Sequence, residues 1–290
     1  MKTQLVARYG LTMAMVLAYV SGANALTITQ TTNTTALGTA LGGGGLTINS
    51  VTINGNAAQF GTYTGFSSAP VTIGDGVVLS SGQVTQTTSA FVNPGDLPST
   101  SFGGSGTAAF DAYGPGNIDN FQDSNDVASL TVNFTLSSAS QVGFDFVFGS
   151  VEYPVYTSSF TDAFLAFLDG TAPANQIVFD AAGNPVQVGN TFASALTTAD
   201  TNTAFAGTHG LMKLQTFTLN PLAAGAHTIT FMIGDVNDHI LDSAVFLSNF
   251  HAGTGTGGTK PPDGEKVPEP ASLLLLSAGL VGLGLARLKK

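Results

Sequence analysis

The chain has 290 residues, eight basic against eighteen acidic side chains for a net charge of −10, and neither cysteine nor tryptophan. So acidic a chain repels phosphate backbones, which excludes nucleic acid as a partner, and the missing cysteines exclude disulfides, thiol chemistry and cysteine zinc sites. The charge is lopsided: from Leu26 to Ala252 there are fifteen Asp or Glu and a single base, Lys213, a balance that favours hard cations able to relieve the self-repulsion.

In chain order, Lys2 and Arg8 come with an apolar run from Leu11 to Val20 and the small-residue site Ala23-Asn24-Ala25. This is the pattern of a Sec signal peptide over residues 1–25, removed by signal peptidase after Ala25. A mature domain is expected over 26–252, about 225 residues, which is enough for one large β domain or two small ones. Apolar residues then recur at period two. Leu46 to Ile53 alternates, with a phase slip near Ser50; Ala128 to Leu136 alternates cleanly; Gln141 to Phe148 sets Val142, Phe144, Phe146 and Phe148 on one face. Ala163 to Leu168, Gln215 to Leu219 and His227 to Ile233 follow the same rule. Short strands parted by Gly, Asn and Asp turns predict an all-β fold, an antiparallel β-sandwich of jelly-roll type. Helix competes only at Ala36 to Leu41 and Ala193 to Ala199. The Gly, Ser and Pro of residues 94–116 predict a long surface loop, and residues 253–266, dominated by Gly and Thr, a flexible linker.

The C-terminal segment, 267–290, has three parts: Val267-Pro268-Glu269-Pro270, the apolar run 271–286, and the basic end Arg287-Leu288-Lys289-Lys290. As a helix the apolar run would rise roughly 24 Å, a little under the bilayer core, so a single transmembrane helix spans with local thinning or with its lysines snorkelling. Gly279, Gly282 and Gly284 weaken that helix and admit close approach of another. The terminal cations mark the cytoplasmic end. The competing reading, a buried core helix, is disfavoured because such a helix rarely lacks a polar face.

Two stretches share the form Asp-x-Asn-Asp: Asp123, Asn125 and Asp126, and Asp235, Asn237 and Asp238, with Asp242 four residues past the second. Oxygens at alternating positions are what Ca²⁺ needs, since it takes six to eight oxygen ligands in flexible geometry. Glu152 and Asp162, at the ends of neighbouring predicted strands, would complete the shell. The spacing is not that of an EF-hand. The alternative is that these residues cap turns, for which Asp and Asn are favoured. No other cofactor is indicated.

Enzymatic readings are weaker. Glu152 and Asp162 form a conceivable glycosidase pair, yet no Trp platform accompanies them. His209, His227, His239 and His251 lack zinc-ligand spacing, and His227, inside a predicted strand, reads as structural. Gly103 to Thr107 falls short of a nucleophile elbow.

The tail is similar to the PEP-CTERM sorting signal of Gram-negative bacteria, with a literal match at Val267, Pro268, Glu269 and Pro270. That resemblance implies processing near Pro270 by an exosortase, after transient tethering to the inner membrane, in organisms that commonly make an exopolysaccharide matrix. Between residues 45 and 250, the blocks Thr72 to Gly82, Asn125 to Leu130, Phe146 to Pro154, Phe160 to Phe164, Ile233 to Asp238 and Asp242 to Leu247 resemble choice-of-anchor L domains in content and order. The most specific are Gly149-Ser150-Val151-Glu152-Tyr153-Pro154 and Asp242-Ser243-Ala244-Val245-Phe246-Leu247. Two positions depart from the family pattern: Val151 stands where a second acid is usual, and Thr161 where Asn is usual, and both changes remove oxygen ligands or hydrogen bonds near Glu152 and Asp162. The resemblance implies a secreted or surface module and no established activity. The expectation is an exported, non-catalytic surface or matrix protein of structural or adhesive type. A carbohydrate-binding module for exopolysaccharide is the alternative, and a glycan-active enzyme the third reading.

Overall fold

The computed structural model describes residues 26–68, 71–88, 97–157, 159–180, 182–189, 196–197, 202–205, 210–212, 215–218 and 221–253. The signal segment, the linker beyond residue 253 and the sorting tail with its apolar run lie outside the described residues. Among those described, no helix is long and apolar enough to cross a membrane.

The elements in chain order are β1 (Thr27–Gln30), α1 (Thr34–Leu41), β2 (Gly42–Gly44), β3 (Thr47–Asn54), β4 (Phe60–Thr64), β5 (Ser67–Ser68), β6 (Val71–Thr72) and β7 (Gly76–Ser80). There follow α2 (Ala108–Tyr113), β8 (Ser124–Leu136), β9 (Val142–Ser150), β10 (Ala163–Leu168), β11 (Val186–Gln187), β12 (Leu196–Thr197), β13 (Gly210–Met212), β14 (Gln215–Thr218), β15 (Gly225–Val236) and β16 (Ser243–Ala252). They form two main sheets. One runs β1-β4-β7-β16-β9-β13-β12, with β14 also on β9; the other runs β11-β10-β15-β8-β3. Pairing among the described strands is antiparallel except where β2 lies parallel to β16.

The fold is mostly β with two sheets, as the period-two pattern requires. The slip near Ser50 is a register shift between Ile48 and Ser50 where β3 meets β8. α1 is longer than its apolar core suggested, because Asn33 caps it: the Asn33 side chain accepts from the N–H of Thr35 and Ala36 at 3.0 and 3.1 Å, satisfying donors that the first turn leaves free. The second helix expectation is corrected. Of residues 193–199, only Leu196 and Thr197 are described, and they pair with Met212 and Leu211 as strand; the rest lie outside the described residues.

Between the sheets lies a core rich in Phe. Phe231 of β15 meets Phe144 of β9 edge-on at 4.9 Å and stacks near Phe164 of β10 at 6.4 Å, while Phe146 and Phe164 stand 5.1 Å apart. Both sheets are covered on their outer faces too. Tyr63, Phe66, Val78, Val147, Phe205 and Phe246 bury one outer face; Phe110 and Tyr113 of α2 join Val127, Leu165, Phe167 and Met232 over the other. Burial on both faces explains why β7 and β10 carry near-continuous apolar runs instead of alternating. β8 shows the transition within one strand: its first seven residues are all buried, and then alternation resumes where the cover ends.

At the far end of the second sheet, His227 places Nδ1 2.9 Å from Asp169 Oδ2 and Nε2 3.0 Å from the Ala223 carbonyl. Two acceptors facing two ring nitrogens favour the doubly protonated ring, since neutral imidazole has one N–H. Burial disfavours the charged form, but the Asp169 bond, the Ala223 carbonyl and the Asp169 charge outweigh it and raise the pKa above its usual value.

Two outcomes follow. Phe231→Ala should cost about 3–5 kcal/mol, read from the midpoint of urea unfolding. A group whose pKa rises on folding contributes stability that is complete below its unfolded value, about 6.5, and lost as pH climbs through the folded value. The stability gap between wild type and His227→Gln should therefore be widest near pH 5 to 6 and narrow toward pH 8; a gap that widens with pH overturns the assignment.

Candidate functional site

At one end of the sandwich the inward-facing rows change character. On β15 the row Ile229, Phe231, Ile233 continues two residues on to Asp235. On β9 the row Phe144, Phe146, Phe148 continues to Ser150 and then Glu152. Asp162 precedes Phe164 and Ala166 in the inward row of β10, Ser81 follows Val77 and Leu79 of β7, and Ser243 precedes Val245 and Leu247 of β16. Because side chains alternate across a strand, these residues stay between the sheets. The apolar core thus ends in a layer of carboxylates and hydroxyls, with Ser81, Ser150, Glu152, Asp162, Asp235 and Ser243 all buried, and Asp242, one residue before Ser243, is buried beside it with its charge acting on Asp235.

Hydrogen bonds tie this layer across the sheets. Ser243 Oγ donates to Asp162 Oδ2 at 2.7 Å, and the Val236 N–H donates to Asp162 Oδ1 at 3.1 Å. The Ser243 N–H donates to Ser81 Oγ at 3.0 Å, and Ser80 Oγ donates to the Ser243 carbonyl at 2.9 Å. A strap formed by residues 97–104 closes the end: Thr100 N–H donates to Asp242 Oδ1 at 2.8 Å, and Phe102 and Gly104 N–H donate to the two oxygens of Asp126 at 3.0 and 2.6 Å. Asp126 turns toward the strap because β8 bulges there. Its φ is 45°, and Asp126 with Val127 opposes the single residue Gly234, since Ala128 pairs with Ile233 and Asn125 with Asp235. Gly82 is forced by the same crowding: a Cβ on it would lie 1.7 Å from Asp242 Oδ2. The described part of the region expected as a surface loop is therefore a strap fixed to buried acids, and it continues into α2.

Not every oxygen is satisfied. Both oxygens of Glu152, both of Asp235 and Oδ2 of Asp242 are buried without a hydrogen bond of good geometry, although Ser81 and Asp162 lie close enough to Asp235 to act on its ionisation. Burial is the largest influence on all four acids. It pushes Glu152 far up, helped by the charges of Asp162 and Asp238. It pushes Asp162 up against the pull of its Ser243 and Val236 bonds. Asp235 rises through burial and the charges of Asp162, Asp242 and Glu152, and Asp242 is pushed up to about 7, the Thr100 bond opposing. Ionised carboxylates packed this way repel one another and lack hydration. The described residues contain no Lys or Arg, and their two ion pairs both use His. The layer must be neutralised by protons or by a cation.

The nine residues singled out in the sequence divide. Glu152, Asp162, Asp235 and Asp242 meet in the interior layer, and Asp126 sits beside it, bonded to the strap and 3.2 Å from His239 Nδ1. Asp238 is half-buried, its charge reaching Glu152 and Asp162. Asn125 is buried on β8 and bonds to the exposed Asp123 at 3.3 Å. Asn237 clasps loops, accepting from Gln122 N–H at 2.8 Å and donating to the carbonyls of Asn120 and Ser159. Of the two departures, Val151 faces the outer apolar cluster with Phe205, and Thr161 donates to the Asp119 carbonyl at 2.7 Å. The hydroxyls of Ser81 and Ser243 and the strap amides were not among the candidates; extending the inward rows of β7 and β16 by one residue finds the two serines. Among the described residues, no three acidic or histidine side chains form a ready-made metal cage.

The choice-of-anchor L domain matches residues 24–251, and the PEP-CTERM protein-sorting motif matches residues 266–290. The chain belongs to the choice-of-anchor L family and ends in a PEP-CTERM sorting tail, which marks it as an exported, surface-directed protein handled by exosortase-type sorting machinery. A search of curated proteins found no match.

Removing the Ser243 hydroxyl should leave a buried Asp162 oxygen unpaired. Ser243→Ala is expected to lose about 1–3 kcal/mol of stability, measurable by chemical denaturation at pH 7; an unchanged midpoint would show that the bond between the sheets carries no net weight.

Proposed function

We propose that this chain is a non-catalytic protein of the cell surface or extracellular matrix, structural or adhesive in role. In this reading it leaves the cytosol by the Sec route, loses its leader to signal peptidase, is held in the inner membrane of a Gram-negative cell by the 271–286 helix, and is then cut near Pro270. It works in an exopolysaccharide or biofilm setting. The observation that carries the non-catalytic reading is the sealing of Glu152 and Asp162, the two acids a glycosidase would need, both at 0 % exposure. Polymeric substrate cannot reach carboxylates closed in by two sheets and a strap. A concavity of about 650 Å³ does open beside α1 and β3, but its lining, including Thr34, Thr39, Ile48 and Asn49, holds no acid, histidine or aromatic ring.

A second reading, a carbohydrate-binding module, draws on one feature. Tyr156 and Val155 in the turn after Glu152, and Ile240 in the turn after β15, are exposed at 42 %, 73 % and 50 %, and Asn237 bonds the two turns together through Ser159. An exposed Tyr on a rigid turn can stack on a sugar face.

Cell fractionation with mass spectrometry and a polysaccharide pull-down test both readings. The expected result is a surface or matrix form lacking the tail, no glycan hydrolysis, and retention that added sugar does not compete. Replacing Pro268, Glu269 and Pro270 by Ala should hold the uncut chain in the membrane fraction. Sugar-competed retention that Tyr156→Ala abolishes would favour the binding module, and glycan cleavage lost in Glu152→Gln would overturn both.

A further inference from the structure

We propose that the interior layer of Glu152, Asp162, Asp235 and Asp242 binds one hard divalent cation, and that this cation is Ca²⁺. The inference goes beyond the surface role and does not depend on it.

Five carboxylate oxygens in this layer are buried without a hydrogen bond of good geometry, two on Glu152, two on Asp235 and one on Asp242, although Asp162 lies close to Glu152, Ser81 to Asp235 and the Gln83 backbone to Asp242. Buried polar atoms in native folds nearly always have partners, and each one left without has to be explained. Asp235 is the hub, since Asp162, Asp242 and Glu152 all act on its charge. A divalent ion there would neutralise half of the four negative charges and supply the missing partner to every orphan oxygen. The one lysine between Leu26 and Ala252 cannot do this for four acids wherever it lies.

The donor set decides which metal. The four acids offer oxygen alone, with the Ser81 and Ser243 hydroxyls beside them, so the site suits hard cations and not Zn²⁺ or Cu²⁺, which seek nitrogen and sulfur. Ca²⁺ accepts six to eight oxygens and bidentate carboxylates in loose geometry, whereas Mg²⁺ demands a near-ideal octahedron and keeps its waters. The four acids are fully buried, which disfavours an ion that must keep its waters. As they stand, no three of these side chains are grouped so as to hold a metal ion, so binding requires the carboxylates to move together, and with them the strand ends they terminate. Glu152 hangs from β9 and Asp235 from β15, which belong to opposite sheets, so one ion would clip the two sheets at the end that the strap closes. Asp242 carries the strap through Thr100, so the strap would tighten in the same step.

The test uses the purified full-length protein after chelator treatment and dialysis, titrated calorimetrically with CaCl₂ and melted in chelator, Ca²⁺ or Mg²⁺. Extracellular calcium modules work at about 10⁻⁴ to 10⁻³ M, so the titration should reach several millimolar. We expect one Ca²⁺ per chain and a Tm raised by about 2–9 °C at several millimolar Ca²⁺, with a clearly smaller effect of Mg²⁺. Asp235→Asn should lose both heat and shift while keeping its β circular dichroism, and Glu152→Gln serves if Asp235→Asn does not fold. Asp123→Asn, an exposed acid of the Asp-x-Asn-Asp motif outside the layer, should keep both. Absence of heat and shift in wild type, an equal response to Mg²⁺, or a response that survives Asp235→Asn and Glu152→Gln but is lost in Asp123→Asn would each overturn the proposal.

Discussion

Four carboxylates closed into the end of a β-sandwich impose a condition on everything around them. An ionised carboxylate removed from water costs several kcal/mol unless it is bonded or paired, and here the four act on one another. The surrounding architecture meets part of that demand with fixed N–H and O–H donors: Ser243 and Val236 on Asp162, and Thr100 on Asp242. These donors come from β16, β15 and the strap, so the elements that close the sandwich are the ones that hold its acids. Loosening one would expose the others.

The same condition accounts for local backbone choices that would otherwise look arbitrary. β8 bulges at Asp126, turning that carboxylate to the strap amides, from where its charge still helps to raise the pKa of Asp242. Gly82 leaves space that the Asp242 carboxylate fills. The strap holds the two carboxylates through its backbone amides, while Ser99 and Thr100 bond Leu241 and Gln86 through their hydroxyls. Its amides must approach two carboxylates closely, and small residues permit that.

The strands were legible in the sequence because burial on a sheet imposes a period of two, and the slip at Ser50 was legible because a bulge breaks that period in one step. Part of the interior layer was legible by the same rule: the row Phe144, Phe146, Phe148 runs on to Glu152, and the row Phe231, Ile233 to Asp235. Three things were not. The double-sided burial of β10 depends on α2 and on loops far away in the chain. The strap carries no side-chain signal at all. The strand at Leu196 and Thr197 looked helical because the alanines of its neighbourhood have helix propensity, which tertiary pairing overrides. The two Asp-x-Asn-Asp stretches also misled in one respect. They look equivalent in sequence, yet Asp235 lies in the inward row of its strand while Asp123 lies outside its own on the surface, and only register separates the two cases.

The sandwich and the sorting tail are separable for a reason visible in the sheet order. β16 lies between β7 and β9, so the first sheet cannot close until the chain has reached Ala252, and at that point the domain is complete. The last turn of β16 is further secured by β2, which pairs with it in parallel at Phe250 and His251, drawing the N-terminal α1 and β2 onto the same edge of the core where Phe250 meets Phe134 at 5.1 Å. Any anchor joined after residue 253 therefore follows a strand that is already paired on both sides within the sheet. The pairing of every described core strand is thus fixed upstream of the sorting motif at residues 266–290, so that motif need not enter the sheet.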